Sequence, residues 1–360
     1  MSEGNLLAID LAKSSFQAHL ASPQGRVLAR KKLARSALAD FVAKADATVV
    51  AMEACSGANY WGRRFLALGK QVRLLAPQYV APFVKTNKND ANDAEAIAEA
   101  AARQTMRFVP LKTVAQQDIS SLHCIRSRLV GQRTALTNQI RGLLAEYGIV
   151  LAQGHAKLRL CLTELRLETA FRGDLSAYML RKLQELSVEL ATLDERIAGC
   201  DAEVKQLCDA DELSRELTKI VGIGPLTATA LRALSGDMAQ FKNGRQFAAF
   251  LGLVPRQQST GGKTRLLGIS KRGDAYVRTL LIHGARASLV SAHKRSDYRS
   301  TWASRLKAAK GMNRAAVALA NRNARTVFAL LRRGQPFDAS RPGRSLTAPR
   351  QASAREAAMG

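Results

Sequence analysis

The chain has 360 residues, 47% of them hydrophobic, so it is long and apolar enough for two or three domains with real cores. Its 55 Lys and Arg against 29 Asp and Glu give a formal charge of +26. This balance points to a polyanionic partner, nucleic acid first, and no apolar run approaches the ~18 residues of a bilayer span, which excludes a membrane-spanning protein. No stretch reads as a secretion signal, and the five scattered cysteines contain no CxxC pair. That pattern argues against zinc, and an odd cysteine count without a secretion signal fits the reducing cytoplasm.

In chain order, three strand-like runs come first: Leu6 to Ala12, Phe16 to Ser22 and Arg26 to Ala34. The breaks between them, Lys13-Ser14-Ser15 and Pro23-Gln24-Gly25, are hairpin-sized. A helix-like "SALADFVAKA", a buried-type strand Thr48 to Ala54, a helix "YWGRRFLALG" ending at Gly69 and a strand "QVRLLAP" follow. Three antiparallel strands, then helix, strand, helix, strand, predict an α/β domain with a mixed sheet. From about Val114 to Asp211 apolar residues recur at three- and four-residue spacing, which predicts an antiparallel helical pair or coiled-coil arm for dimerisation or scaffolding. From Glu212 the chain is helical in shorter pieces, and after Gly334 it is rich in Pro, Ser, Arg and Ala, which reads as a disordered tail. The expected divisions are 1–112, 113–211, 212–333 and 334–360. Trp61 and Tyr60 are expected to pack, and His123 and His155 have no partners visible in the sequence.

The first domain holds the chemically informative acids. Asp10 and Glu53 each end a hydrophobic strand, and Asp90 and Asp93 open a helix with i, i+3 spacing. Singly, three of the four have an ordinary explanation: Asp90 is a helix cap, Asp93 a first-turn acid, Asp10 a turn former. Together, carboxylates converging from two strands and a helix suit a pair of Mg²⁺ ions, which would stabilise the attacking and leaving oxygens of a phosphodiester exchange.

The cations lie elsewhere. Residues 251 to 350 hold 21 Lys and Arg against 3 Asp and Glu, +18 of the total. Within them "QQSTGGKTRLLGISKRGD", Gln257 to Asp274, reads as a loop that joins hydroxyls (Ser259, Thr260), adjacent glycines and the cations Lys263, Arg265, Lys271 and Arg272. Glycines allow close backbone approach, and the cations can neutralise phosphate oxygens. Ser259 either does chemistry here or only holds a phosphate. Upstream, Gly222-Ile223-Gly224-Pro225 has the form of a helix-hairpin-helix turn. Gly222 and Gly224 can present N–H groups to a phosphate, or simply make a tight turn between packed helices.

"AIDLAKSSF", "MEACSGANYWGRRF", "KNDANDAEAIAEA" and the C-terminal "FLGLVPRQQSTGGKTRLLGISKRGDAYVRTLLIHGARA" resemble the RuvC-like DEDD transposases of the IS110 family, its IS1111 branch in particular, with the Piv-type DNA invertases as relatives. The resemblance runs from about Leu6 to about Leu331. It implies an RNase H-like fold for the first domain and a catalytic, metal-binding tetrad of Asp10, Glu53, Asp90 and Asp93. It also implies that Ser259 attacks DNA and becomes covalently joined to it, with Thr260 the neighbouring hydroxyl. No histidine lies close in sequence to activate Ser259, so the metal site is the expected activator, and the two domains would meet over the DNA. Target choice by a structured RNA from the element is a further implication. Two-ended DNA exchange suggests a dimer or tetramer, located in the cytoplasm with the nucleoid. A Piv-like site-specific invertase, a Holliday-junction nuclease using water in place of Ser259, and a non-catalytic nucleic-acid-binding protein are the alternatives.

Overall fold

The structure, a computed structural model, describes residues 4–84, 90–163, 175–236, 238–334 and 337. The chain divides into two units, Met1–Ser121 with Arg232–Asp237, and Leu122–Leu231 with Met238–Gly360.

The first unit is built on a six-stranded sheet. Its strands are β1 (Leu6–Leu11), β2 (Ser15–Ala21), β3 (Val27–Ala34), β4 (Val49–Glu53), β5 (Gln71–Leu75) and β6 (Phe108–Val109), in the order β3-β2-β1-β4-β5-β6. β1, β2 and β3 are antiparallel neighbours, β1–β4 and β4–β5 are parallel, and β6 returns antiparallel to β5. The mixed sheet expected from the sequence is therefore present. Its last strand, two residues long, is too short to leave an alternation in the sequence.

Both faces of the central strands are covered. On one, Leu7, Ile9, Val50 and Met52 pack with α1 (Leu38–Lys44) and α2 (Ala58–Ala67) through Leu38, Val42, Trp61 and Phe65. Trp61 belongs to this core, whereas its neighbour Tyr60 is exposed. On the other face, Leu6, Ala8, Val49 and Ala51 pack with Ala96, Ile97, Ala100 and Ala101 of α4 (Asp90–Ala101); the short helix α3 (Pro77–Val80) adds Val80. The strand period of two thus sorts β1 and β4 into two hydrophobic sets, and continuous burial of both explains their unbroken apolar runs. Alanines on both sides of the α4 contact let helix and sheet approach closely. The edge strand β3 is exposed along nearly its whole length and carries Arg30, Lys31 and Lys32, charges that discourage edge-to-edge pairing.

In the second unit, α5 (Val114–Ala145, which begins in the first unit), α6 (His155–Thr163) and α7 (Ala177–Ala210) share a core of Leu129, Leu136, Ile140, Leu158, Leu183, Leu190 and Ile197. The ion pairs Arg126–Asp201 at 2.6 Å and Arg133–Asp194 at 3.2 Å advance along α5 while receding along α7, so the two helices run antiparallel. His155, without a visible partner in the sequence, joins this packing by contacting Asp194 at 3.0 Å. Burial alone would raise the Asp194 carboxyl, but hydrogen bonds from His155 and Arg133 hold it below the ordinary carboxylate range. The shorter helices are α8 (Glu212–Thr218), α9 (Pro225–Leu234), α10 (Gly244–Phe250), α11 (Ala275–Val290), α12 (Tyr298–Lys310) and α13 (Met312–Arg333), with a separate two-stranded ribbon of β7 (Pro255–Thr260) and β8 (Lys263–Ile269). The tail after Gly334, apart from Phe337, lies outside the described residues. Among the described residues no helix is long and apolar enough to cross a membrane.

His123, 3% exposed, also has partners. Its Nε2 lies 3.0 Å from the Thr229 hydroxyl and its Nδ1 3.0 Å from the Tyr276 hydroxyl. The Thr229 hydroxyl donates to the Pro225 carbonyl at 2.9 Å, so it accepts from Nε2 and leaves Nδ1 to accept from Tyr276. A neutral ring satisfies both bonds. Burial, then the nearby Arg126, lowers the His123 pKa from 6.5 to about 4. Below pH 6.5 the unfolded chain takes up this proton and the folded one does not. Stability from the neutral ring is therefore complete above 6.5 and lost as pH falls toward about 4, by about 3 kcal/mol. Urea denaturation across this interval is expected to reveal the slope, and His123→Gln to flatten it.

Candidate active site and nucleic-acid surface

Asp10 and Glu53 sit near the C-terminal ends of two adjacent parallel strands. The last β1–β4 pair is Ile9 with Met52, and each acid is the next residue. Both side chains therefore leave the sheet on the face of Ala8 and Ala51, the face that α4 covers. Apolar residues fill the four preceding positions of each strand, and burial falls to partial at both acids. The chain turns away immediately after Glu53, with Gly57 at φ 89° beginning α2. Cys55, on this turn, registers both charges. Partial burial pushes its thiol pKa up, and the carboxylates of Glu53 and Asp10 push it further.

α4 opens at Asp90; the Asp90 side chain lies outside the described residues. Asp93 is half-buried and lies one turn before Ile97, on the side of the helix that packs against the sheet. Among the described residues no three His, Cys, Asp or Glu side chains are gathered as a metal-ligating group. The structure thus brings Asp10 and Glu53 together and places Asp93 on the covering helix without clustering it with them. Gln17, which sequence reading overlooked, is directly across from Asp10 in the antiparallel pair, with Lys32 beyond it on β3. The β1–β2 hairpin register was the available signal.

The stretch expected as a loop is instead a β-ribbon. Gly261 and Gly262 have φ of 57° and 77°, the two positive values that a tight two-residue hairpin turn demands, and Thr260 pairs with Lys263 across it. A Gly-Gly pair between β-competent residues was a hairpin signal in the sequence. Every residue of β7 is exposed. The root is fixed: Ser270 N–H donates to the Val254 carbonyl at 2.8 Å, and Arg278 donates to the carbonyls of Leu251 and Arg272 at 3.3 and 3.2 Å. Lys271 and Arg272 lie at this anchored end, Lys271 with φ of 55°. The hydroxyls lie at the free end.

The pairing also sorts the ribbon's faces. Ser259 pairs with Thr264 and Gln257 with Leu266, on one face; Thr260 pairs with Lys263 and Gln258 with Arg265, on the other. Ser259 and Thr260 therefore point opposite ways, and the cations Lys263 and Arg265 share the face of Thr260. The Gln257 amide donates to the Ser259 Oγ at 2.7 Å. The ribbon carries no Asp, Glu or His to act as a base for that hydroxyl.

At the glycine turn the two glycines differ. Gly222 has φ of 91°, and a Cβ there would lie 3.0 Å from the Ser288 hydroxyl and 3.1 Å from the Gly284 carbonyl oxygen on α11. Gly224 is exposed at the start of α9 with open space around it. Gly222 thus serves a close turn-to-helix contact, and Gly224 leaves its surface open. Gly222→Ala is expected to lower stability by about 1–3 kcal/mol through backbone strain and the close contact. Gly224→Ala should change it by less than about 0.5 kcal/mol. Denaturant melts beside nucleic-acid titrations would separate the two roles, because a binding loss in Gly224→Ala could not be ascribed to unfolding.

A family described as "Transposase IS116/IS110/IS902 family" matches residues 214–300, the region of the glycine turn and ribbon. A DEDD transposase family, described as "Transposase", matches residues 7–149, which contain all four acids. The "Probable family 20 transposase" of Pseudomonas aeruginosa is 47% identical, over 94% of this chain and 98% of that protein. The "Transposase for insertion sequence element IS1111A" of Coxiella burnetii is 46% identical over 94% of this chain and 92% of that protein. The transposase for insertion sequence element IS1328 of Yersinia enterocolitica is 40% identical over 92% and 98%. With acids on neighbouring strand ends in one unit and a basic ribbon in the other, matched by relatives along nearly its whole length, the chain belongs to the IS110 family of DEDD insertion-sequence transposases, enzymes of DNA strand transfer.

Proposed function

We propose that this transposase exchanges DNA strands through a Mg²⁺-dependent acid site and a serine nucleophile, Ser259. The observation that carries the metal half is the side-by-side placement of Asp10 and Glu53 on the α4-covered face. Hard carboxylate oxygens in a partly buried position fit Mg²⁺, and both carboxylates act on the Cys55 thiol, so their charges fall on one turn. Asp10 and Glu53 would hold the first ion, and Asp90 and Asp93, from the opening turn of α4, would complete a two-ion set. When bound, the ions supply Lewis-acid stabilisation of the phosphoryl oxygens. The sheet order β3-β2-β1-β4-β5, with three antiparallel strands leading into two parallel ones, supports an RNase H-like, RuvC-like reading of this unit.

The ribbon supports the second half. Its tip offers a hydroxyl clear of the protein surface, on an anchored root. In the transfer step the Ser259 Oγ forms a bond to phosphorus, the strand's own ester oxygen leaves with the electron pair, and the serine proton passes to an acceptor outside the ribbon. Lys271 and Arg272 at the root, and Lys263 and Arg265 on the opposite face, would hold flanking phosphates. The antiparallel helices α5 and α7 suit an arm that joins copies into a dimer or tetramer. The strongly basic second unit suits a structured element-encoded RNA beside the DNA, and the family resemblance supports RNA-directed target choice. The decisive experiment is to incubate the protein with DNA bearing element ends, the element's RNA and Mg²⁺, denature, and map the residue that retains DNA. A DNA adduct at Ser259 is the expected result; strand transfer with no adduct would assign the attack to water.

A further inference from the structure

Beside the ribbon, the second unit contains a groove of about 1550 Å³ between α12, α13, the start of α10 and the ribbon's root. Five arginines line it, Arg245, Arg299, Arg314, Arg322 and Arg325, and no Asp or Glu does. Among the described residues none of the five makes an ion pair. Two of them are held on neutral supports. The Arg322 guanidinium lies 5.0 Å from the Tyr298 ring centre and 4.8 Å from that of Trp302. Arg299 donates to the Asn323 side-chain oxygen at 3.3 Å and to the Thr326 hydroxyl at 2.9 Å. Burial, and then the neighbouring Arg322 charge, lowers the Arg299 pKa. The nearby acid, Asp297, caps α12 through the Ser300 N–H.

Half-buried guanidiniums side by side, with no carboxylate lining the groove and only the Asp297 charge partly offsetting Arg299 from outside it, are poorly compensated until an anion enters. Tyr298, 46% exposed, and the half-buried Trp302 add aromatic surface beside these charges. Aromatic and guanidinium faces next to exposed cations are the combination that holds unpaired bases and their phosphates; a duplex keeps its base faces stacked. The groove also continues onto the ribbon. Leu266, part of its wall, lies on the same ribbon face as Ser259.

We propose that this groove binds single-stranded DNA, gripping bases at Tyr298, Trp302 and Arg322 and phosphates at Arg245, Arg314 and Arg325. DNA is the occupant because the wall leads to the face of the reactive ribbon, and strand transfer produces an unpaired strand that must be held there. The choice of DNA rests on the proposed reaction at the ribbon, but binding can be read without chemistry, so a failure of the groove and a failure of the Ser259 reading are distinguishable.

The test is fluorescence anisotropy of the full-length protein with labelled oligothymidine, a duplex of equal length, and oligouridine, without divalent ions. Trp302→Ala should weaken oligothymidine binding about ten-fold and leave the duplex within about two-fold. Arg314→Gln and Arg325→Gln, both at exposed positions, should each reduce the slope of log affinity against log salt on the single strand by about 0.7. Thermal unfolding checks the fold, and if Trp302→Ala does not fold, the two arginine variants decide. Unchanged single-strand affinity and slope in folded variants overturns the proposal. Equal loss on single strand and duplex overturns it in favour of a duplex grip. Tighter oligouridine binding, lost in the same variants, overturns DNA as the occupant.

Discussion

Ser259→Ala is expected to abolish the covalent protein–DNA adduct and strand transfer while DNA binding persists. The substitution removes one exposed oxygen at a ribbon tip, where no packing depends on it, so stability should change by less than about 0.5 kcal/mol. Loss of a nucleophile, by contrast, removes the reaction path itself. Thr260→Ala makes the comparison sharp. The two hydroxyls are adjacent in sequence but lie on opposite faces of the ribbon, so a phosphate seated against one face meets only one of them. Thr260→Ala should retain the adduct. Lys263 and Arg265 share the Thr260 face, which gives the opposite outcome a clear meaning. An adduct lost in Thr260→Ala and kept in Ser259→Ala would make the cation-bearing face the reactive one. The measurement is a denaturing gel of the DNA-linked protein, with the linked peptide identified by mass spectrometry.

Asp10→Asn and Glu53→Gln are each expected to reduce strand transfer by about a thousand-fold or more, because metal-assisted charge stabilisation is worth several kcal/mol. Neither should unfold the protein, since each amide is close in size to the carboxylate it replaces. An independent readout is Cys55. Its thiol is held up by partial burial and by the charges of Glu53 and Asp10. Each substitution should therefore lower the Cys55 pKa and speed its alkylation at a fixed pH near 7, even without DNA or metal. Slow activity with unchanged Cys55 reactivity would mean that the two acids do not share a field at this turn. Full activity in either variant would remove the metal-site reading.

Much of the first unit was legible in the sequence because its strands carry physical punctuation. β1 and β4 each run through four unbroken apolar residues to an acid, and the breaks between β1, β2 and β3 are short and rich in turn-forming residues. An acid that closes a hydrophobic run is conspicuous, so Asp10 and Glu53 could be singled out, and Asp90 and Asp93 stood out as an i, i+3 pair opening a helix. The long helices α5 and α7 were legible for a similar reason, since their apolar spacing of three and four persists over many turns. His123 and His155 were not, because their partners are 106 and 39 residues away. No local pattern records a contact that distant.

Register and helix packing belong to the tertiary structure. Strand alternation states that Asp10 and Ile9 face opposite ways, but only the pairing of Ile9 with Met52 puts Asp10 beside Glu53, and only the packing of α4 decides which face they share. Gly222 and Gly224 look equivalent in the sequence. The approach of Gly284 on α11 makes one a packing contact and leaves the other open. Lys263 and Arg265 follow Ser259 closely in the chain, yet the ribbon's pairing turns them to the face of Thr260. Composition and local periodicity determined which residues are chemically unusual and which elements hold them. Which of them meet was decided by long-range pairing, because every such contact depends on the relative position of segments whose separation in the chain carries no information about their distance in space.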